Sequence, residues 1–398
     1  MTVSIPESVK PLREQVLRFV EDRIIPEEPV LFSGTPEGSE LHQKLADAAK
    51  AEGLWAMGHP ASMGGRGLPW RDYAFVNEVI GRSDAALNIF GSYSVQTCLM
   101  LDAAATDWQR EQLLLPLVAG DIHVAFAVTE PGAASSDPTN ITTTAVLDGD
   151  EWVINGTKWY TSGGTTAEWL CVMCRTEPED TPIHDSFSMM LVPASAPGFE
   201  VTRDVFVMGL DSNHPECTYT DVRIPADHIL GERGQGFQLF QTRLGPARLT
   251  NCMRWLGQAQ RAFDLMCDRI NTRQIRGGQV LADKQMMQMY VYDSYCDIQT
   301  SRMLVIEAAE ALDAGSQGRV EISSAKTEAA RMLQRVLDRA IQVHGALGVC
   351  DETPLERMYR MARIYRIVDG PDEVHIERVG RHILREYREG RGWDFATR

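Results

Sequence analysis

The 398-residue sequence has no apolar run long enough to span a bilayer, so no transmembrane helix is expected. It also lacks a surplus of positive charge. Lys and Arg number 39 against 55 Asp and Glu, a net charge of −16. Such a chain repels nucleic acid and anionic lipid on average, so an anionic ligand has to be met by a local cluster of Arg or Lys. The N-terminal stretch MTVSIPESVKPLREQV has neither an apolar core nor a small-residue cleavage site, and is not read as a secretory signal. The eight cysteines are scattered. Cys171 and Cys174 form a C-x-x-C, but inside the strand-like WLCVMCRT, with no second Cys or His pair nearby to complete a zinc site. They read as small buried hydrophobes in a reducing, cytoplasmic setting, and no metal site is expected. Internal repeats and low-complexity segments are absent too.

What is present is a change of texture, twice. Residues 8–122 read mostly as helix. VKPLREQVLRFVEDRIIP repeats apolar residues at Leu12, Val16, Leu17, Phe19, Val20 and Ile24, and is expected to stop at Pro26. GHPASMGGRGLP (58–69) reads as a Gly/Pro loop, and DWQREQLLLPLVAG as a helix ended by Gly120. From about residue 123 the runs are short and β-rich. TTTAVLDGDEWVING places two of them around Asp148-Gly149, a hairpin signal, and WLCVMCRT, SFSMMLVP and CTYTDVRIP follow. Beyond Gly236 the chain turns helical again, with Cys252, Leu256, Ala259, Phe263, Met266 and Ile270 in steps of 4, 3, 4, 3, 4, a bundle seam. Helices are expected over 284–313, 319–345 and 371–388. Helices, strands, helices is an α+β order, not the alternating βα pattern of a dinucleotide-binding fold. The expected division is 1–122, 123–236 and 237–398.

Three segments could carry chemistry. AFAVTEPGAASSDPTN (125–140) offers the hydroxyls of Thr129, Ser135 and Ser136 and a run of backbone N–H groups, suited to a heterocycle or a phosphate, or else is an ordinary polar loop. INGTKWYTSGG sets Trp159 and Thr161 beside a glycine pair; Trp159 either covers a flat ring or fills a strand core. AIQVHGALGVCDETPLERMYRMARIYRIVDGPDEVH (340–375) has a small-residue patch, then Arg357, Arg360, Arg363 and Arg366 on what reads as a solvated helix face, then Asp369, Asp372 and Glu373 around a Gly-Pro turn. His344 reads as a packed, hydrogen-bonded histidine rather than a base.

These segments together resemble the acyl-CoA dehydrogenase family, over nearly the whole chain. AVTEPGAASSD is similar to the family's T-E-P-x-x-x-S-D loop and NGTKWYTSG to N-G-x-K-x-W-I-T/S. DVRIPADHILGERGQGF is similar to V-x-V-P-x-x-x-x-L-G-x-x-G-x-G-F, and IQVHGALG to Q-x-x-G-G-x-G. LGPARLTNCMRWLGQAQRA, TEPGAASSDPTNI, DSNHPECTYTDVRIP and RIVDGPDEVH resemble the branch containing family members ten and eleven, as the dehydrogenase unit alone without a kinase-like extension.

The resemblance implies an N-terminal helical domain, a middle β-domain and a C-terminal four-helix bundle, with non-covalent FAD in a homotetramer or homodimer. It implies α,β-dehydrogenation of an acyl-CoA to a trans-2-enoyl-CoA, with an electron-transferring flavoprotein as acceptor. It places Phe126, Val128, Thr129, Ser135, Trp159 and Thr161 at the flavin, with Ser135 also near the substrate. Arg273, Gln342, Gly345, Ala346 and Glu373 fall at the adenine and pyrophosphate end, partly across a subunit interface. The family carries its base at one of two positions. One is Ala247 here, which takes no proton; the other is Asp369, which the resemblance makes the base, with Arg248 supporting the substrate's charge. Three departures stand out. Asp for Glu shortens the arm by one methylene, about 1.5 Å. Pro371 replaces the usual Thr, and Arg276 replaces a frequent aromatic. The rivals are a nitroalkane-oxidase-like enzyme on the same fold and a non-catalytic DNA-associated relative. The net charge of −16 disfavours the second.

Overall fold

The computed structural model describes residues 4–210 and 213–394. Asp211 and Ser212, which open the DSNHPECTYTDVRIP segment, lie outside the described residues, as do the first three residues of the N-terminal stretch. The chain divides into two compact units. One is Met1–Glu52, Pro69–Phe90 and Ala247–Arg398; the other is Gly53–Leu68 and Gly91–Pro246.

The first unit is helical. Its longer helices are α1 (Lys10–Phe19), α2 (Pro36–Ala51) and α3 (Trp70–Ile80) from the N-terminal segments. In the second unit a helix α4 (Val95–Asp102) precedes the strands. A long helix α5 (Gly236–Thr272) gives its first turns to the second unit and the rest to the first. Then come α6 (Gln285–Asp313), α7 (Arg319–His344), α8 (Leu355–Ile364) and α9 (Asp372–Arg388). Of the seam read from α5, Cys252, Leu256, Ala259, Met266 and Ile270 are buried, while Phe263 is only partly buried. At Gly257 a Cβ would lie 1.8 Å from the Glu78 carbonyl, so only glycine lets α5 approach α3 this closely. Pro26 does not end the first helix as expected. α1 passes through a π-turn (Val20–Ile24) into a 3-10 turn (Ile25–Glu27) that accepts Pro26 near its start, where a backbone N–H has no partner to lose.

The second unit holds the sheet. The strands are β1 (Val124–Ala127), β2 (Thr144–Asp148), β3 (Glu151–Lys158), β4 (Trp169–Arg175), β5 (Phe187–Pro193), β6 (Phe199–Arg203), β7 (Glu216–Pro225) and β8 (Ile229–Leu230). Their order is β6-β7-β3-β2-β4-β5-β8, with β1 parallel to β4. β4 and β5 are covered on both faces, which is why WLCVMC and SMMLV are continuously apolar instead of alternating. The hairpin at Asp148-Gly149 forms as read, Asp148 facing Glu151 and Gly149 at φ +67°. Burial pushes the Cys171 and Cys174 thiols up to about 12, so both are unreactive. No metal-holding cluster exists among the described residues, and no helix there is long and apolar enough to cross a membrane.

Candidate functional site

Two groups of candidate residues emerge, one in each unit. In the β-unit, β1 runs into Val128, Thr129 and Glu130, and β3 runs into Trp159 and Thr161. The Trp159 N–H donates to the Thr129 carbonyl at 2.9 Å, tying the two segments together. Beneath them lies a buried ion pair. Lys158 Nζ donates to Glu130 Oε1 at 2.8 Å and to the Val128 carbonyl at 3.0 Å. Glu130 accepts further bonds from the Thr142 N–H (2.7 Å), the Thr142 hydroxyl (2.8 Å) and the Thr143 N–H (2.9 Å). Burial alone would raise the Glu130 carboxyl, but the Lys158 charge and these donors hold it at about 2. Sequence reasoning quoted Glu130 and Lys158 within its motifs yet gave neither a role. Their pairing has no local sequence signal, because Glu130 lies beyond β1 and Lys158 ends the polar NGTK stretch of β3, 28 positions away.

Trp159 is not strand filler. It stands beyond the last residue of β3, half-exposed, and its Nε1 is buried with no hydrogen-bond partner. The Thr161 hydroxyl is fully buried and faces only a weak partner, the Cys217 thiol. A buried donor without a partner is costly, about 1–3 kcal/mol, unless a ligand satisfies it. These polar atoms beside an aromatic face fit the edge and face of a flat polar ring. Phe126 is stacked on Phe240, with Arg243 4.1 Å above its ring. Ser135 is exposed in the turn closed by the Asp137 N–H donating to the Ala134 carbonyl.

In the helical unit the opening between α8 and α9 carries Asp369. This residue has φ +55°, and Gly370 has φ +98°. Positive φ costs a non-glycine residue about 1–3 kcal/mol, so the turn has to be held. It is. Arg248 Nε donates to the Asp369 carbonyl at 2.7 Å, and Lys326 Nζ donates to the Gly370 carbonyl at 2.7 Å. His375 Nε2 lies 3.2 Å from the Asp369 carbonyl and its Nδ1 3.2 Å from the Ser323 hydroxyl. A carbonyl only accepts, so the proton sits on Nε2. Burial, then the charges of Arg248 and Lys326, push His375 down to about 3 and keep it neutral. Charge-assisted bonds of this kind contribute about 1.5–3 kcal/mol each, enough to offset the strain. The carboxylate itself is half-buried, and Asn251 Nδ2 donates to its Oδ2 at 2.6 Å.

Asp372 is 1% exposed at the start of α9 and accepts from Arg366 Nε (2.8 Å) and Arg331 Nε (3.0 Å). One sequence reading changes here: the arginine series is not a solvated face. Arg357 packs over the Phe32 ring at 4.0 Å, Arg360 pairs with Glu356, Arg366 closes the Asp369 turn through Asp372, and Arg363 alone of the four is exposed. Spacing by three puts residues on neighbouring positions, but the face they meet is a tertiary matter. His344 is packed as read, its Nδ1 donating to the Ala340 carbonyl at 2.8 Å.

The remaining candidates are on the surface of the helical unit. Gln342, Gly345 and Ala346 cluster at the end of α7, with Gly345 at φ +63°. Glu373 is exposed on the first turn of α9. Arg273 follows α5, exposed, and no bond among the described residues joins it to the Gln342 group. Ala247 is buried. A cavity of about 320 Å³ lined by Arg13, Glu21, Glu78, Arg82, Gln260 and Asp264 includes none of the candidates; it is a salt-bridged cleft.

Known proteins decide the family. Residues 6–121, 125–222 and 234–384 match the N-terminal, middle and C-terminal domains of acyl-CoA dehydrogenase. The chain belongs to the acyl-CoA dehydrogenase family. It is 41% identical over 352 residues to "Probable acyl-CoA dehydrogenase FadE2" of Mycobacterium tuberculosis, covering 86% of this chain and 85% of that one. It is 38% identical over 393 residues to acyl-CoA dehydrogenase family member 10 of Mus musculus, covering 92% of this chain but 36% of that protein. Family member 11 of Rattus norvegicus is 36% identical over 354 residues, covering 86% of this chain and 45% of that protein. The branch is therefore the one that holds members ten and eleven, although this chain spans less than half of either. A solved structure from Mycobacterium abscessus, provisionally described as an acyl-CoA dehydrogenase, matches with TM-score 0.90 at 34% identity, over 96% of this chain and 100% of that one. The family is one of FAD-dependent oxidoreductases.

Proposed function

We propose that this chain is an FAD-dependent acyl-CoA dehydrogenase that converts an acyl-CoA thioester to its trans-2-enoyl-CoA, with Asp369 as the base. The observation that carries this reading is the held carboxylate. Asp369 stands half-buried at the tip of a strained turn whose two carbonyls are gripped by Arg248, His375 and Lys326. A structure bears such strain where geometry matters more than local stability. A carboxylate suits a weakly acidic C–H beside a thioester carbonyl, provided it is positioned. Buried Ala247 leaves no competitor at the family's other base position.

FAD, when bound, supplies the acceptor for the β-hydride. Phe126, Val128, Thr129, Ser135, Trp159 and Thr161 would hold its ring, Trp159 Nε1 gaining the partner it lacks. Arg273, Gln342, Gly345, Ala346 and Glu373 would hold its adenine and pyrophosphate end. Ser135 would also meet the substrate. Arg248 acts on the substrate through the Asp369 backbone, since its Nε is already engaged there. An electron-transferring flavoprotein is the proposed acceptor, and the three-part division 1–122, 123–236 and 237–398 is kept on the family pattern.

The purified protein is expected to be yellow and to release FAD into the supernatant on acid precipitation. Among butyryl-, octanoyl- and palmitoyl-CoA, at least one should bleach the flavin anaerobically, and nitroethane should not. Flavin left in the pellet, or bleaching by nitroethane alone, overturns the reading.

A homotetramer or homodimer is also proposed. α6 exposes Met286, Met289, Tyr292, Tyr295 and Met303, each 49–67% exposed and recurring at helical spacing. Such a stripe on a bundle helix is a surface that association would cover. Light scattering should give a multiple of 44.4 kDa. A single-chain mass with full FAD occupancy contradicts this.

A further inference from the structure

We infer that Asn251 is a positioning residue for the base: held by Arg254, its amide fixes one carboxylate oxygen of Asp369 and leaves the other to take the proton. The inference rests on Asp369 being the base.

The α5 sequence sets up this arrangement. Arg248 and Asn251 are three residues apart and share a helix face. One reaches the Asp369 carbonyl and the other its carboxylate. Arg254, one further step of three along, donates from Nη2 to Asn251 Oδ1. A guanidinium only donates and a carboxylate only accepts. With its oxygen taken by Arg254, the amide can present only its NH₂ to Asp369. The chain Arg254 to Asn251 to Asp369 therefore has one polarity, and the amide cannot flip without losing both bonds.

The choice of a neutral holder has a physical reason. Arg248 and Lys326 both feel the Asp369 charge, yet their hydrogen bonds go to backbone carbonyls of the turn. A direct ion pair would favour the charged carboxylate strongly and weaken it as a base. A neutral amide fixes the rotamer with a smaller effect on basicity. The cations thus secure the backbone, and the amide secures the side chain. Structural packing alone does not require this division, because Asn251 is only half-buried and water could satisfy it.

The titratable and charged groups that interact with Asp369 are Arg248 and Cys252 from α5, Lys326 from α7 and His375 from α9; Asp372 and Arg378 of α9 act on Lys326, Arg248 and His375 in turn. Burial, opposed by Asp369, sets Arg248 at about 10 and Lys326 at about 8, and burial sets Cys252 at about 12. His375 lies at about 3. Near pH 5–6 Arg248 and Lys326 therefore stay charged and Cys252 and His375 stay neutral, so none of the four dominates a limb read there.

The test uses the full-length holoenzyme and whichever of butyryl-, octanoyl- or palmitoyl-CoA bleaches the wild-type flavin fastest. Asn251→Ala, Asn251→Asp and Asn251→Ser are compared with Asp369→Asn. Three readouts are taken: the anaerobic flavin-reduction rate against pH, solvent deuterium entry at the substrate α-carbon, and acyl-CoA affinity. Asn251→Ala should slow reduction and deuterium entry by roughly 10–10²-fold, the scale of a misplaced reacting group, with affinity within about threefold. Its acid limb should move to higher pH. Asn251→Asp keeps the shape but faces carboxylate with carboxylate, so its limb should move further. Asn251→Ser restores a donor on a shorter arm and should recover part of the rate. Wild-type rates and unmoved limbs in Asn251→Asp and Asn251→Ser, with Asp369→Asn inactive, overturn the positioning role alone. Near wild-type activity of Asp369→Asn overturns the base assignment on which it stands. Should Asn251→Ala fail to fold, the other two variants decide by the same criteria.

Discussion

Asp369→Asn is expected to keep FAD and acyl-CoA and to lose turnover. The substitution preserves shape, the φ +55° turn and the carbonyl gripped by Arg248 and His375. It removes the ability to accept a proton, together with the negative charge that Arg248 and Lys326 feel. Loss of a general base costs roughly 10²–10⁴-fold, so flavin reduction should fall by at least that factor. Stopped-flow bleaching under anaerobic conditions measures it, with FAD content as the check on folding. Glu373→Gln is the clean control, because Glu373 is exposed and should affect FAD affinity at most. Asp372→Asn is not clean: it weakens a buried acceptor for Arg331 and Arg366 and should loosen the turn that carries Asp369. Asp369→Glu should retain some activity, since the longer arm serves elsewhere in the family. A near wild-type rate in Asp369→Asn would send the search to Glu216 and His214. Both are engaged, Glu216 accepting from Arg203 at 2.8 and 3.0 Å and His214 bonded to the Ser162 hydroxyl at 2.8 Å.

Lys158→Met should be the most damaging change outside the base turn. Lys158 has no solvent exposure and Glu130 has 4%. Removing the lysine leaves a carboxylate buried without its counter-charge, which costs about 3–5 kcal/mol. The loss falls where Thr129 and Trp159 are joined, so FAD occupancy should drop with stability. Adding Glu130→Gln should recover part of it, because the unpaired charge is then gone. The pH dependence has a definite sign. Glu130 is held at about 2 against an ordinary 4.5, so its contribution is fully present above about pH 4.5 and is lost as pH falls toward 2. Without Lys158 that depression shrinks, and acid unfolding followed by circular dichroism should begin at higher pH than in the wild type. An unchanged acid transition and full FAD content in Lys158→Met would contradict this account.

Much of the protein was legible before any coordinates. Periodicity alone separated helix from strand, because a 3.6-residue repeat and a two-residue repeat bury different positions. The seam from Cys252 to Ile270 and the hairpin at Asp148-Gly149 are local patterns; the hairpin formed as read, and the seam did at every position but Phe263, which is only partly buried. Order of motifs carried the family. Local pattern failed at Pro26, where a short 3-10 turn absorbs the missing N–H.

The tertiary structure decided what the charges do. Asp369 and Asn251 are 118 positions apart, Lys158 and Glu130 28, and Arg331 and Asp372 41. No periodicity reports on such pairs, since a charged side chain is compatible with solvent wherever it stands in a sequence. Burial turns it into a constraint, because a buried charge or donor has to find a partner. Thus the sequence by itself determined the element types, the α+β order and the carboxylate at 369. Only the fold decided that Asp372 is a buried anchor, that Glu130 and Lys158 join the two loops, and that Asn251 bonds the Asp369 carboxylate, because each depends on which groups lose water together.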